Sequence, residues 1–219
     1  DEAAAKLRAA GAASAAGVVA DAASGEAMDA LADAAVKAMG GVDILVLNHG
    51  GPPPCTASEM KDEDLAAWFQ VIVRSPLRIA KRLLPAMRQQ GWGRVIVVGS
   101  TGMQMPIPTL ALSNVLRAGV WAWVKTMSGE VAPDGVTVNV LAPGTIQTDR
   151  VTETTTKRAQ QQGISFDEAL AQAAKEIPAG RLGTPEDFGP TGAFLASDKA
   201  GYITGSMVRV DGGRVRSML

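Results

Sequence analysis

Three side chains that carry much of protein chemistry occur once each in this 219-residue sequence: Cys55, His49 and Tyr202. A lone cysteine excludes an intramolecular disulfide and suits a reducing cytoplasm. One histidine and one cysteine cannot assemble a zinc or iron–sulfur centre of ordinary type. The charge is balanced, 21 basic against 22 acidic residues with no like-charged run, so nothing marks nucleic acid or a membrane surface as a partner. No apolar run reaches the roughly 18–20 residues of a membrane span, and the N-terminus lacks the basic-then-apolar pattern of a secretory signal. The expectation is a soluble cytoplasmic protein with a single domain over residues 1–219.

What is present is an alternation of short apolar runs with helical patterns. Residues 1–10 are strong helix formers with Gly11 as a stop. Ala15–Ala20 reads as a short buried strand ending at Asp21. A helix is expected from Glu26 to Met39, closed by Gly40 and Gly41, and Asp43–Asn48 as a buried strand followed by His49, two glycines and three prolines. Residues 62–90 read as one long helix bent at Pro76 and Pro85. Val95–Val98 is a buried strand delivering Ser100, and Ser113–Val131 a helix. Val136–Leu141 is a strand, and Ser165 with Glu168 has capping-box spacing for a helix to Glu176. Thr184-Pro-Glu-Asp187 starts another helix, in which Pro190 is unexpected. Met207–Val210 is the last strand. Strands apolar throughout, alternating with helices, imply an α/β fold: a doubly wound parallel sheet covered on both faces. Residues 147–178 interrupt the alternation and are expected to form a mobile substrate flap.

Several runs carry a family likeness. Asp43-Ile-Leu-Val-Leu-Asn-His-Gly50 resembles the D-I-L-V-N-N-A-G strand of short-chain dehydrogenases/reductases, and Val97-Val-Gly-Ser100 resembles their catalytic-serine strand. Val136-Thr-Val-Asn-Val-Leu-Ala-Pro-Gly144, Arg181-Leu-Gly-Thr-Pro-Glu-Asp187 and Ile203-Thr-Gly-Ser-Met-Val-Arg-Val-Asp-Gly-Gly213 are similar to the family's later landmarks, in the family's order. The resemblance implies a Rossmann-type fold that binds NAD or NADP and interconverts alcohols and ketones. It implies cofactor contacts from Asp21, Asn48, Gly50, Pro143, Gly144 and Thr148, and assembly as a homo- or hetero-oligomer, dimer or tetramer, with subunits of the same family.

Four family features are missing. The Gly-rich turn that seats a pyrophosphate on a helix N-terminus is absent; the chain begins at the family's second helix, as a truncation would leave it. A chain truly without that first βαβ unit would expose a sheet edge and lose its main anion site. The family's Tyr-x-x-x-Lys falls on Ser113-Asn-Val-Leu-Arg117. A serine hydroxyl is far less acidic than a phenol whose pKa starts near 10, so it cannot be a general acid or base at neutral pH. Arginine at the lysine position still hydrogen-bonds ribose hydroxyls but does not deprotonate. The family's helix asparagine falls on Ile72. Of the tetrad, only Ser100 survives.

Among the remaining side chains, Ser100 either polarises a carbonyl or caps a strand end, and Arg117 binds a ribose or substrate carboxylate or forms a surface ion pair. His49, where the family has alanine, reads as a loop residue bonded to backbone, with a substitute acid as the alternative. Cys55 reads as structural. Met103, Met105, Ile107 and Pro108 line a pocket or pack a loop, and at least one of Trp121 and Trp123 is expected to be buried. Two functions follow. One is a family subunit of a hydroxyacyl/ketoacyl-type oxidoreductase with a degenerate, non-catalytic centre (Ser100, Ser113, Arg117), its nicotinamide binding weak or absent. The alternative is an active NAD(P)-dependent enzyme with a non-standard proton donor.

Overall fold

The computed structural model describes residues 2–218. Four parallel strands form one sheet in the order β1-β2-β3-β4: β1 (Ile44–Leu47), β2 (Gly93–Val98), β3 (Val136–Pro143) and β4 (Met207–Val210). β2 and β3, the inner pair, are buried along almost their whole length, which explains the Val95–Val98 run and the valines of β3, between which Thr137 and Asn139 are buried as well.

Helices cover both faces. On one, Val95, Val97, Val138 and Val140 meet Leu84 and Met87 of α4 (Ser75–Gln90) and Leu112, Leu116, Val120 and Val124 of α5 (Ala111–Val131). Trp121 and Trp123 both lie half-buried against this cluster. On the other face Ile96 and Leu141 meet Leu195 of α8 (Pro185–Leu195). α1 (Glu2–Ala9) precedes the sheet. α2 (Gly25–Met39) packs on α4 and is held by Arg78 on Asp29 and Arg82 on Asp33. Ser24 caps it, accepting from the Ala27 N–H, and Gly40 at φ 79° closes it in the left-handed region.

Two expectations need correction. Ala15–Ala20 is not a strand: no ladder pairs it, and Val18 and Val19 are exposed. Ala20 and Ala22 lie across a 450 Å³ groove from Ile44–Asn48, too far for the hydrogen bonds that make β-propensity pay. Ile44 and Val46 on the β1 side are correspondingly exposed. Residues 62–90 are not one helix bent at prolines. α3 (Asp62–Phe69) passes through a π turn, Gln70–Arg74, into α4, with the Ser75 N–H bonded to the Gln70 carbonyl. Pro76 has no N–H to return to Ile72, so the widened turn absorbs the defect just upstream. Residues 147–178, the expected flap, hold two packed helices, α6 (Asp149–Gln162) and α7 (Phe166–Lys175), the second opened by the Ser165–Glu168 capping box read from the sequence. Pro85 and Pro190 are tolerated for one reason: each lies on an exposed helix face, where water takes over the carbonyl they leave free.

Candidate functional site

Five of the candidate residues sit where a parallel strand ends, the edge at which open α/β sheets gather their ligands. Asn48 and Gly50 follow β1, Ser100 follows β2, Pro143 closes β3 and Gly144 follows it. Ser100 is extended (φ −160°) and starts a 3₁₀ turn over Thr101–Met103; its Oγ accepts the Gly102 N–H at 3.0 Å. The hydroxyl thus caps a turn and keeps its own proton to donate. Met103 folds back, its sulfur accepting the Ser100 N–H at 3.4 Å, and packs on the core.

The first turns of α5 bring Ser113 and Arg117 to the same place. Arg117 donates from Nη1 to the Val98 carbonyl at 3.2 Å and from Nε to Ser113 Oγ at 3.2 Å. One helical turn separates the two side chains, so they stand one above the other. Asn114, which the sequence reading passed over, fastens the loop beside them: its Nδ2 donates to the Ile107 carbonyl at 2.9 Å and its Oδ1 accepts the Ile107 N–H at 3.4 Å. A Cβ on Gly102 would come within 2.7 Å of Asn114 Oδ1 and 3.3 Å of Ser100 Oγ, so glycine lets the serine turn and the helix meet. Cys55 pins the facing loop, its N–H bonding the Thr109 carbonyl and its own carbonyl accepting from Ala111. This is a backbone role for which its thiol is incidental.

The remaining positions frame the cleft. Gly144 is backed against Asp211, where a Cβ would meet backbone at 2.7 Å. Thr148 is the N-cap of α6, yet its side chain makes no cap bond. Asp21 is exposed and accepts the Ala23 N–H at 2.8 Å, turning the chain into α2; its neighbours Ala20 and Ala22 share the groove with Asn48 and Gly50. Ile72 is fully buried in the π turn, an apolar plug where a water-holding amide would have to reach outward. Tyr202 is fully exposed and follows the Asp198–Ala200 turn. That turn lies by the start of β2, where Arg94 reaches the Ser197 carbonyl, at the opposite end of the strands from Ser100.

The cleft is electropositive. Burial lowers the Arg117 pKa from its usual value, and the Arg150 charge lowers it further. Arg150 lies over Gly51, its Nη2 3.4 Å from where a Cβ would stand. His49 joins this cluster: burial lowers its pKa most, an Nδ1–H bond to the Gly50 carbonyl at 2.7 Å works against that, and the Arg117 charge adds to the lowering. The imidazole is therefore neutral near pH 7 and cannot stand in for the missing acid. The basic cluster went unseen in the sequence because its members come from one loop and two helices far apart along the chain. The one local signal was Arg150 immediately inside an N-cap, where acidic residues are the usual choice. Among the described residues no group of three or more His, Cys, Asp or Glu side chains could hold a metal, and no helix is long and apolar enough to cross a membrane.

Residues 1–214 match the family described as enoyl-(acyl carrier protein) reductase. The chain is 38% identical over 188 residues to the 3-oxoacyl-[acyl-carrier-protein] reductase FabG of Vibrio cholerae, covering 86% of this chain and 72% of that one. It is 32% identical over 179 residues to the NADPH-dependent reductase BacG of Bacillus subtilis, covering 82% and 69%. L-sorbose reductase from Gluconobacter frateurii, solved with NADPH and L-sorbose, superposes with a TM-score of 0.93 at 31% identity, covering 99% of this chain and 83% of that one. An NADPH-bound short-chain oxidoreductase from Pseudomonas aeruginosa PAO1, described as containing an atypical catalytic center, superposes with a TM-score of 0.80 at 30% identity, covering 91% and 76%. By sequence and by fold alike, the chain belongs to the short-chain dehydrogenase/reductase superfamily.

Proposed function

We propose that this chain is an NADP(H)-binding oxidoreductase subunit of the carbonyl/alcohol class whose own centre is attenuated: it orients a carbonyl but has no side chain to protonate it. The observation that carries this reading is the Ser113–Arg117 pair at the end of β2, with the only tyrosine at the far end of the sheet. The nicotinamide-ribose half of a cofactor site fits the residues present: Arg117 keeps an uncommitted donor, the Thr148 side chain makes no cap bond, Asn48 and Gly50 follow β1, and Pro143-Gly144 ends β3 against Asp211. Asp21 supplies an acceptor at the adenine side. The pyrophosphate half has no glycine turn among the described residues. A bound reduced nicotinamide supplies the hydride. Ser100 donates its hydroxyl hydrogen to the carbonyl oxygen, and the Arg117 guanidinium stabilises negative charge as it grows there. Proton delivery is left to solvent, so turnover runs about 10²–10⁴-fold below that of a tyrosine-bearing relative.

The relatives favour NADP(H): BacG is NADPH-dependent and two superposed structures contain NADPH. The Pseudomonas structure, with an atypical centre and NADPH together, supports cofactor binding without the usual chemistry. Assembly with a second subunit of this family is part of the same proposal. Phe69 of α3 and Val115 of α5 stand exposed beside Leu65 and Gly119 around a shallow apolar depression, a surface suited to a second helix pair. The experiment is titration of the protein with NADPH and NADH by nicotinamide fluorescence, followed by single-turnover assays with oxo substrates. Saturable NADPH binding with slow, stereospecific hydride transfer is the expected result. Absent binding overturns the reading, and turnover at the rate of tyrosine-bearing relatives overturns the attenuation.

A further inference from the structure

We propose that the cleft selects a substrate bearing a carboxylate, an oxo acid or its hydroxy acid, which Arg117 grips with Arg150 as the second cation; the inference rests on the reading above for its reaction, not for its binding. Arg117 is partly buried and spends Nε on Ser113 and Nη1 on a backbone carbonyl. Among the described residues no carboxylate lies within ion-pair distance of it, whereas eight other cations have one. Every fully buried side-chain nitrogen or oxygen has a partner, and Nη2 of Arg117 has none, so Nη2 opens on the solvent of the cleft. A partly desolvated guanidinium without a counter-ion costs free energy, and an anionic ligand recovers it.

The surroundings aggravate the imbalance. Arg150 lies over Gly51 at the same mouth, and His49 brings no negative charge. Of the two acids in the first turns of the Arg150 helix, Asp149 makes no ion pair with Arg150 within 4 Å, and Glu153 holds Lys157 at 2.5 Å while also feeling the Arg150 charge. The Arg150 charge is felt at Arg117, Arg150 stands over Gly51 two residues from His49, and Ser113 bonds Arg117. A planar fork matches a carboxylate, or a carboxylate oxygen together with an adjacent carbonyl oxygen, better than a point charge does. Ser113 matters as well: its small side chain leaves room in front of Arg117 that a phenol would fill.

The test compares 2-oxobutyrate with its methyl ester, which differ in one charge, by thermal shift and saturation-transfer NMR on the cofactor-free full chain and again with NADPH. The acid is expected to bind at least about tenfold more tightly than the ester, with added salt weakening the acid alone. The exposed change Arg150→Gln is expected to weaken the acid about three- to tenfold and leave the ester and NADPH unchanged. Arg117→Met, checked for folding by circular dichroism, is expected to abolish the difference between acid and ester. Equal binding of acid and ester overturns the proposal, as does inorganic phosphate displacing the acid at lower concentration than 2-oxobutyrate itself needs. Loss of NADPH binding with the acid preference intact would sink the proposed function and leave this inference standing.

Discussion

Rebuilding the missing acid is the sharpest test of the attenuated centre. Ser113 is partly exposed at the cleft and its hydroxyl bonds only Arg117, so a ring placed there enters the cleft and not the core. Replacing Arg117 by Lys gives up two hydrogen bonds of 3.2 Å, a loss of about 1–2 kcal/mol in stability. The double variant Ser113→Tyr/Arg117→Lys therefore stays folded. Its phenol, beside an ammonium group, can hand a proton to the carbonyl oxygen, and the expected gain is about 10²–10⁴-fold in turnover, or roughly 3–5.5 kcal/mol of barrier. The assay follows loss of nicotinamide absorbance with an oxo substrate across pH. The wild type should show no acid limb attributable to a side chain in the cleft, whereas the double variant should gain one. A folded double variant that saturates with NADPH yet reacts no faster than the wild type refutes the reasoning, because the defect would then lie outside the proton donor.

Other consequences are measurable separately. Gly135 sits at φ 73° with a Cβ position 2.2 Å from the Gly91 carbonyl oxygen, so Gly135→Ala should lower unfolding stability by about 2–4 kcal/mol in urea titration, and an unchanged midpoint would contradict that. Asp187 accepts from both Arg181 amino groups and from the Thr184 N–H, and Arg181 foremost holds its carboxyl far below the usual carboxylate range. A folded pKa below the unfolded one gives stability that is present above the unfolded value and lost as pH falls towards the folded value. Asp187→Asn should therefore destabilise at neutral pH and flatten the decline below about pH 4, read from thermal midpoints. Phe69→Glu with Val115→Glu should shift sedimentation towards a smaller species without loss of helix signal. Amides in α6 and α7 should exchange faster than those of β3, as the flap expectation for 147–178 requires; equal protection would remove it.

The sheet was legible because buried parallel strands leave a mark that needs no context: Val95–Val98 is apolar on both faces, and Val136–Leu141 carries valine at every second position. Ala15–Ala20 has the same apolar character, but strand formation needs a neighbour, and the run itself carries no information about one. Ser113 and Arg117 were readable from their spacing to Ser100. Asn114 and Arg150 were not, since their importance lies in what they touch across the fold: Ile107 in one case and Gly51 in the other. The π turn at Gln70–Arg74 had a signal in Pro76, which was read as a bend one turn too late.

That widened turn also sets a rotational phase. One residue of α-helix corresponds to about 100° about the axis, so excising a single position between Gln70 and Arg74 would swing α3 by that angle relative to α4. Leu65 and Trp68, which now pack on the main cluster, would rotate off it, and the lip formed with Val115 and Gly119 would lose its shape. A one-residue deletion there should thus unseat the outer helix while leaving the sheet and Ser100 in place, making that short segment the gear that keeps the chain's exterior in step with its interior.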